Sequence, residues 1–177
     1  MNAFTAQVLE FFARDPTRRV PLAIVLAGVA AIALAYTAQY GFDLEPCVLC
    51  LYQRGPYALA AGLAGICLLK PHSPRREAFI VVLCGIVFLA GAVIAAYHVG
   101  VEQHWWVSAA ACGGGPVESM GVDQLKSLLT QKAPKSCDQV DWTFLGISMA
   151  TYNVFASMAL AAACIAGARM IRRLDPI

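Results

Sequence analysis

The sequence predicts an all-α membrane protein built as a four-helix bundle. Of its 177 residues, 59% are hydrophobic and only 14% are charged, and its mean hydropathy of +0.64 is above that of a soluble domain of this size. A bilayer core is about 30 Å thick, so each helical crossing needs roughly 20 mainly apolar residues. Four such stretches fit into the chain. We therefore expect one integral membrane domain over residues 1–177.

The first two spans are expected at residues 20–40 and 47–69. The segment before them is too polar for a signal-peptide core, so we expect the first apolar run to be retained in the protein. A turn over residues 41–46 joins the two spans. Pro46 suits the first turn of the second helix, because the N–H that proline lacks has no partner there.

The third and fourth spans are expected at residues 78–98 and 144–170. Two prolines and three cations over residues 70–76 end the second span and separate it from the third. A long polar loop over residues 99–143 joins the third span to the fourth. Within that loop, residues 117–131 carry apolar side chains on one helical face, which predicts a short helix that lies either on the membrane or on other parts of the loop.

The distribution of Lys and Arg predicts the orientation. Nine of the thirteen lie on one side, in the two terminal segments, at the end of the fourth span and in the loop over residues 70–77, and the other four lie near the start of the second span and in the long loop. Both termini are therefore expected in the cytoplasm. The turn over residues 41–46 and the loop over residues 99–143 then share the outer compartment and can meet. The net charge of +2 gives no reason to expect a nucleic-acid partner.

The predicted topology divides the seven cysteines into two groups. Cys67, Cys84 and Cys164 lie within apolar spans, where desolvation disfavours a thiolate, and we interpret them as inert small hydrophobic residues. The other four lie on the outer side, in a compartment that permits disulfides. The natural pairs are Cys47 with Cys50 and Cys112 with Cys137. The second pair closes a loop of about 25 residues and would stabilise the fold by roughly 3 kcal/mol.

The Cys47-Val48-Leu49-Cys50 motif favours a reactive disulfide. Closing so short a loop removes little chain entropy, and a thiol at a helix start is favoured as the thiolate that attacks disulfides. Two structural disulfides are one alternative and zinc is another. Zinc sites usually have four ligands, for which Cys112 and Cys137 are too widely spaced, so we expect no metal. Covalent haem attachment is excluded because Leu51, not histidine, follows the motif.

Arg54 is the candidate for binding an electron acceptor. It follows Cys50 by four residues, on the same helical face and one to two turns into the predicted span. A cation at that depth is costly and is usually kept for a partner or a function. Arg54 either reaches the interface or pairs with Glu45, or it polarises a carbonyl of a bound acceptor and stabilises a thiolate at Cys50.

His98, Glu102 and His104 cluster at the outer end of the third span. Each has a side chain that can assist proton movement, although an interfacial polar residue is often simply solvated. We take His98 as the candidate that acts beside the acceptor.

Taken together, these features resemble the DsbB family of disulfide bond formation proteins. The resemblance is carried by Pro46-Cys47-Val48-Leu49-Cys50-Leu51-Tyr52-Gln53-Arg54, by Tyr97-His98, by the second cysteine pair and by Asp141-Trp142-Thr143-Phe144-Leu145-Gly146 after Cys137. It implies a bundle in the bacterial inner membrane with two periplasmic loops. It also implies an enzyme that reoxidises a periplasmic DsbA-like protein of thioredoxin fold and passes the electrons to ubiquinone or menaquinone.

The resemblance also implies a role for each outer cysteine. Cys112 would be attacked by the partner's thiolate, and Cys137 would be the other half of that pair. Cys47 would then exchange with Cys137. Cys50 would face the quinone beside Arg54, and His98 matches the family's histidine region.

Three other hypotheses stay open at this point. A relative dedicated to one special substrate would share every residue named above. An enzyme of the vitamin K epoxide reductase type also combines four helices with a C-x-x-C motif, but there the motif is expected near the last span. A non-enzymatic membrane scaffold with structural disulfides would keep its activity without Cys50.

Overall fold

The protein is mostly helical. The computed structural model describes residues 7, 12, 14–70, 73–106, 136–140 and 142–174. Within these ranges it contains four long helices and one short hairpin: α1 (Pro16–Gly41), α2 (Val48–Leu69), α3 (Pro74–Glu102), β1 (Thr143–Phe144), β2 (Ile147–Ser148) and α4 (Met149–Arg172). The predicted helix over residues 117–131 lies outside the described residues.

Three of the described helices, α1, α3 and α4, are long and apolar enough to cross a membrane. Helix α2 is not among them, although its 22 residues are sufficient in length. Its second turn contains Gln53 and Arg54, whose polar side chains lower its hydropathy. A multi-pass membrane protein is supported, while the crossing by α2 stays a prediction.

The first two helices begin at residues that cap them. Helix α1 starts at Pro16, earlier than the predicted residue 20, because the Asp15 carboxylate accepts hydrogen bonds from the Thr17 hydroxyl (2.8 Å) and the Arg18 backbone N–H (3.4 Å). Helix α2 starts at Val48, and Cys47 is its N-cap. Pro46 therefore lies one residue before the cap, outside the first turn in which the sequence placed it.

Helix α3 is longer than predicted at both ends, since it runs from Pro74 to Glu102 rather than over residues 78–98. Pro74 occupies the first turn, where the N–H that proline lacks costs nothing. The extra turn at the other end keeps His98 and Glu102 on one helix, four residues apart. Their side chains therefore share one face.

The predicted start of the fourth span near Phe144 is wrong. Strands β1 and β2 form an antiparallel hairpin there, with Thr143 opposite Ser148, and α4 begins only at Met149. The two turn residues between the strands, Leu145 and Gly146, have φ values of 51° and 76°. Two-residue hairpin turns with positive φ at both positions match the twist of paired strands. The Ser148 hydroxyl then caps α4 by accepting from the Thr151 N–H at 3.3 Å.

The helices pack closely where one of them has a small residue. A Cβ atom on Gly28 of α1 would lie 2.8 Å from the Tyr57 carbonyl oxygen of α2, and one on Gly85 of α3 would lie 3.2 Å from the Cys164 Cβ of α4. Small residues permit this approach between membrane helices. The shared core is apolar and includes the free cysteines Cys67, Cys84 and Cys164.

Candidate active site

A cavity of about 350 Å³ opens at the end of the molecule where α2 begins. One wall is apolar and comes from α1, including Ala31, Ala35 and Ala38. Other lining residues are polar and include the side chains that the sequence singled out on α2 and α3, together with Asn153 of α4. The polar members are Cys47, Cys50, Gln53, Arg54, His98 and Glu102. The fold thus combines an apolar slot with a redox-capable end.

Cys47 and Cys50 lie at the polar end with their Sγ atoms 3.0 Å apart. Both are free, and Cys47 is buried while Cys50 is half-buried. The Cys47 Sγ also accepts a hydrogen bond from the Cys50 backbone N–H at 3.3 Å. The N-cap position of Cys47 directs its sulfur toward the first backbone N–H groups of α2. A small rotation of the two side chains brings the sulfurs to the disulfide distance of about 2.05 Å.

His98 connects the two thiols to the interior of the protein. Its Nε2 atom lies 3.6 Å from Cys47 Sγ, and its Nδ1 atom lies 2.8 Å from Gln53 Nε2. With the Gln53 amide nitrogen donating to Nδ1, the proton of the neutral ring is on Nε2, the nitrogen that faces the sulfur. His98 is therefore placed to donate to a thiolate at Cys47.

A chain of hydrogen bonds continues from Gln53 into the helix interface. The Asn153 amide donates to Gln53 Oε1, and the Tyr57 hydroxyl donates to Asn153 Oδ1. Tyr57 also lies 3.0 Å from the Ser157 hydroxyl. A satisfied buried network of this kind fixes the orientation of its members. It thereby holds the Gln53 amide against His98.

Arg54 lines the same cavity from the next position of α2. Its Nη1 donates to Gln39 Oε1 at 2.8 Å, and its guanidinium lies 5.0 Å from the centre of the Tyr36 ring. A planar guanidinium held by a hydrogen bond and an aromatic face retains few conformations. The charge is therefore held at the cavity wall by residues of α1.

Cys137 packs beside the start of α2. It is disulfide-bonded and only 1% exposed, and it belongs to one buried cluster with Cys47, Leu49 and Val101. The backbone of Cys137 also interacts with the His98 ring. Cys112, the predicted partner of Cys137, lies outside the described residues. The structure thus brings five of the six predicted site residues, Cys47, Cys50, Arg54, His98 and Cys137, to one end of the molecule.

Hydrogen bonds set the charge of two groups near this end. The hydrogen bond from the Cys50 thiol holds the pKa of Cys47 well below its ordinary value, and His98 acts in the same direction while burial opposes them. The hydroxyl of Ser136 lowers the pKa of the exposed Asp138 in the same way. Cys47 is therefore the thiol of the pair that ionises first.

Cys47, Cys50 and His98 also form the kind of cluster that attracts soft metals, because their donor atoms all lie within 4.8 Å of one another. Three donors are one fewer than the four that structural zinc sites use. The two sulfurs are also close enough for direct S–S chemistry. We therefore interpret the cluster as a thiol site.

The comparisons with known proteins identify the family. A family model described as disulfide bond formation protein DsbB matches residues 17–167. Proteins named disulfide bond formation protein B are similar over most of the chain: that of Polaromonas sp. is 30% identical over 94% of this chain and 96% of its own, and that of Xanthomonas axonopodis is 34% identical over 76% of this chain and 81% of its own. The chain belongs to the DsbB family.

The region matched by the DsbB family model, residues 17–167, includes all the cavity residues named above. Membership in this family supports the assignment of the chain as a disulfide oxidoreductase and as a multi-pass membrane protein. An uncharacterized protein of Rickettsia prowazekii, RP370, is 25% identical over 86% of this chain and 88% of its own.

Sequence reasoning missed the polar residues that surround the DsbB-family motif. Gln53 and Tyr57 are four apart on α2, and Asn153 and Ser157 are four apart on α4. Polar side chains that recur at this spacing in apolar helices share one face, which was the available signal. Gln39, the partner of Arg54, had no such signal because its contact depends on how α1 packs against α2.

Proposed function

We propose that this chain is a quinone-dependent thiol:disulfide oxidoreductase of the bacterial inner membrane, which reoxidises a periplasmic DsbA-like protein of thioredoxin fold. The observation that carries the proposal is the position of the free Cys47–Cys50 pair. It lines an apolar cavity together with a fixed arginine, and it packs against the disulfide-bonded Cys137. The cysteine end is proposed to face the periplasm and both termini the cytoplasm.

The relay begins at the pair Cys112–Cys137. A thiolate of the partner attacks Cys112, which forms a mixed disulfide and releases Cys137 as a thiolate. The partner's second thiolate then attacks the partner's own sulfur in that mixed disulfide, so the partner leaves oxidised and Cys112 becomes free. Two electrons have entered the chain, and the partner has gained one disulfide.

The second exchange passes the electrons to the cavity. The Cys137 thiolate attacks Cys47 of the Cys47–Cys50 disulfide, and Cys50 leaves as a thiolate. Cys112 then attacks Cys137, which restores the first disulfide and releases Cys47 as a thiolate. The contact of Cys137 with the Cys47 cluster supports this order. Cys47 and Cys50 now hold both electrons.

The cavity fits a quinone, because its polar end can face the ring carbonyls and its alanine-rich wall can face an isoprenoid tail. Arg54 would bind a carbonyl oxygen, and Cys50 and His98 would flank the ring. A bound quinone would supply the oxidising capacity with which the Cys47–Cys50 disulfide re-forms, since a quinone can accept two electrons and two protons. Ubiquinone is the first candidate and menaquinone the second.

The test is turnover by the purified protein with a reduced DsbA-like partner and a soluble ubiquinone analogue, followed by the ultraviolet absorbance of the quinone. Cys50→Ser and Cys112→Ser are each expected to abolish quinone reduction. Cys67→Ser is the matched control, because Cys67 lies in the apolar core, and it should retain turnover. Absence of quinone reduction by the intact protein, with its disulfides verified, would contradict the proposal.

The same assay separates a general oxidase from a relative dedicated to one substrate. A general oxidase turns over with an unspecialised DsbA-like protein. A dedicated one reduces quinone with dithiothreitol as the electron donor but not with that protein. The position of the cysteine motif at the start of α2 disfavours the vitamin K epoxide reductase type, for which the motif is expected near the last span.

A further inference from the structure

The β1–β2 hairpin turns its polar face toward the protein and its apolar face away from it. Side chains alternate between the two faces of a strand, and directly paired residues share a face. Thr143 is paired with Ser148, whose buried hydroxyl donates to Glu102 Oε2 of α3 at 2.6 Å. Phe144 and Ile147 are paired on the other face, and both are exposed. A hairpin surrounded by water has the opposite arrangement, with its apolar face packed on the protein.

The tip of the hairpin is a leucine in a conformation that leucine seldom adopts. Leu145 has a φ of 51° and is 83% exposed. The turn type that needs positive φ at both positions usually contains Asn, Asp or Gly, so the backbone gives no reason for leucine here. A residue in such a conformation is strained and persists where its surroundings compensate for the strain. The described residues leave most of this side chain uncovered, so they do not supply that compensation.

Aromatic contacts join the hairpin to the first turn of α4. The Trp142 and Phe144 rings are stacked with their centres 6.0 Å apart, and the Phe144 ring lies 6.4 Å from that of Tyr152. The Tyr152 hydroxyl also donates to the Phe144 carbonyl oxygen at 3.1 Å. Residues 142–152 contain no charged side chain. The hairpin and the start of α4 therefore form one uncharged surface with a fixed set of aromatic rings.

The length of α4 puts the hairpin at the depth of the lipid headgroups. Residues 149–168 of this candidate membrane span carry no charge, and they form about 30 Å of helix, which equals the thickness of the bilayer core. Arg169 and Arg172 follow at one end of that stretch. The hairpin lies directly at the other end, where a headgroup layer of roughly 5–7 Å begins. Tryptophan and tyrosine are enriched in this layer.

We propose that the β1–β2 hairpin is a membrane anchor, whose apolar face and tip, formed by Phe144, Leu145 and Ile147, insert among the headgroups and upper acyl chains of the leaflet at the cysteine end. The bilayer already surrounds α4, and the exposed apolar surface of that helix continues onto the hairpin. The anchor fixes the height of the segment over residues 136–140, which contains Cys137 and closely precedes the hairpin. This inference goes beyond the proposed function and needs neither quinone nor a thiol partner.

The test is fluorescence quenching in the full-length protein, reconstituted in phosphatidylcholine vesicles, with a single reporter tryptophan. The three native tryptophans, Trp105, Trp106 and Trp142, are replaced by phenylalanine. Leu145→Trp then puts the reporter on the tip. Bromine on the acyl chains close to the headgroup is expected to quench most of its emission, whereas bromine near the chain ends and iodide in the water on both sides should quench little. Thr143→Trp, on the polar face, is the matched control and should be quenched less by that bromine and more by iodide.

Two results would overturn the anchor. Quenching of the Leu145→Trp reporter by iodide but not by brominated lipid puts the tip in water. Protection from both quenchers means that protein covers the tip, either another part of this chain or a second copy of it. If the tryptophan replacements prevent folding, Leu145→Cys and Thr143→Cys in the otherwise unchanged protein test the same geometry. A membrane-impermeant maleimide should label Thr143→Cys several-fold faster, and equal rates by peptide mass spectrometry reject insertion of the tip.

The anchor and the oxidase can fail separately. Quenching is measured without quinone or partner. Normal turnover by the unmodified protein together with a tip in water rejects the anchor and keeps the oxidase. A tip in contact with lipid, in a protein that reduces no quinone, keeps the anchor and rejects the oxidase.

Discussion

His98 Nε2 lies 3.6 Å from Cys47 Sγ, although the two residues are 51 positions apart in the sequence. The contact forms because the N-cap of α2 and the last turns of α3 meet at the same end of the protein. It gives the first cysteine of the motif a ring N–H donor as a neighbour, whereas Arg54 is held by Gln39 and Tyr36 of α1. His98 and Arg54 therefore contact different parts of the cavity.

We predict that Cys47 of the reduced protein is alkylated at mildly acidic pH. The hydrogen bond from the Cys50 thiol and the neighbouring His98 lower the pKa of Cys47, so its thiolate persists as the pH falls below the ordinary range of a thiol. Because the pKa is lowered, Cys47 stays a reactive thiolate at neutral and mildly acidic pH, and its alkylation slows only when the pH falls below that pKa. Peptide mass spectrometry after iodoacetamide treatment at pH 6 measures it. Labelling of Cys67 as fast as Cys47 would contradict the prediction.

We predict that Arg54→Gln raises the KM for quinone about tenfold or more and changes kcat less. A hydrogen bond to a charged group contributes about 1.5–3 kcal/mol, and 1.4 kcal/mol is tenfold in affinity. Arg54→Lys should fall in between, because lysine keeps the charge but not the planar contact with Tyr36. Steady-state kinetics with a varied ubiquinone analogue measures the effect. An unchanged KM in Arg54→Gln would remove Arg54 from the quinone site.

We predict that Tyr57→Phe destabilises the protein by about 1 kcal/mol. The change removes the donor to Asn153 Oδ1 and the contact with Ser157, and hydrogen bonds between membrane helices contribute about 0.6–1.7 kcal/mol. Reversible unfolding in mixed micelles measures the free energy. Tyr40→Phe is the matched control, since Tyr40 is 73% exposed. Equal stability of the two variants would argue against the network.

We predict that Gly28→Ala destabilises the packing of α1 against α2 by about 1–3 kcal/mol. The added Cβ would lie 2.8 Å from the Tyr57 carbonyl oxygen and 2.9 Å from Ala61 Cβ, and backbone atoms cannot yield without moving a helix. Gly62→Ala is the control, because its Cβ would meet nothing within 4 Å. The free energy of unfolding is measured in the same way. An unchanged free energy of unfolding in Gly28→Ala would show that the contact between α1 and α2 is less tight than the structure indicates.

We predict that Ser73 and Val140 lie on opposite sides of the membrane. Both positions are exposed, and the distribution of Lys and Arg puts the loop of Ser73 in the cytoplasm. Ser73→Cys and Val140→Cys, treated in intact cells with a membrane-impermeant maleimide, should be labelled only at residue 140. Labelling at residue 73 alone would invert the proposed orientation.

The helices were predictable because their signals are local. Apolar runs of about 20 residues identify spans without knowledge of their neighbours, and the cysteine motif after Pro46 marked the start of α2. The hairpin at Thr143–Ser148 was not predictable, since Phe144 and Ile147 are as apolar as a helix start and Leu145 adopts a backbone conformation that leucine seldom takes.

The candidate site was predictable in its reactive residues but not in their supports. An arginine inside an apolar stretch is costly, and two cysteines three residues apart at a helix start form a recognisable motif, so both stand out in the sequence. The hydrogen bonds of Gln39 with Arg54 and of Ser148 with Glu102 each join two different elements of the fold. They depend on how those elements pack, which the sequence does not show. His98 and Glu102 were noticed as neighbours, but only the extra turn of α3 showed that they share a face.

The burial of Cys137 determines which thiols can react with its sulfur directly. At 1% exposure, its sulfur is closed to a folded partner and to small soluble thiols alike. On the proposed relay, the exchange between Cys137 and Cys47 therefore takes place at a sulfur that dissolved thiols do not reach directly. Selectivity at this step arises from access as well as from affinity.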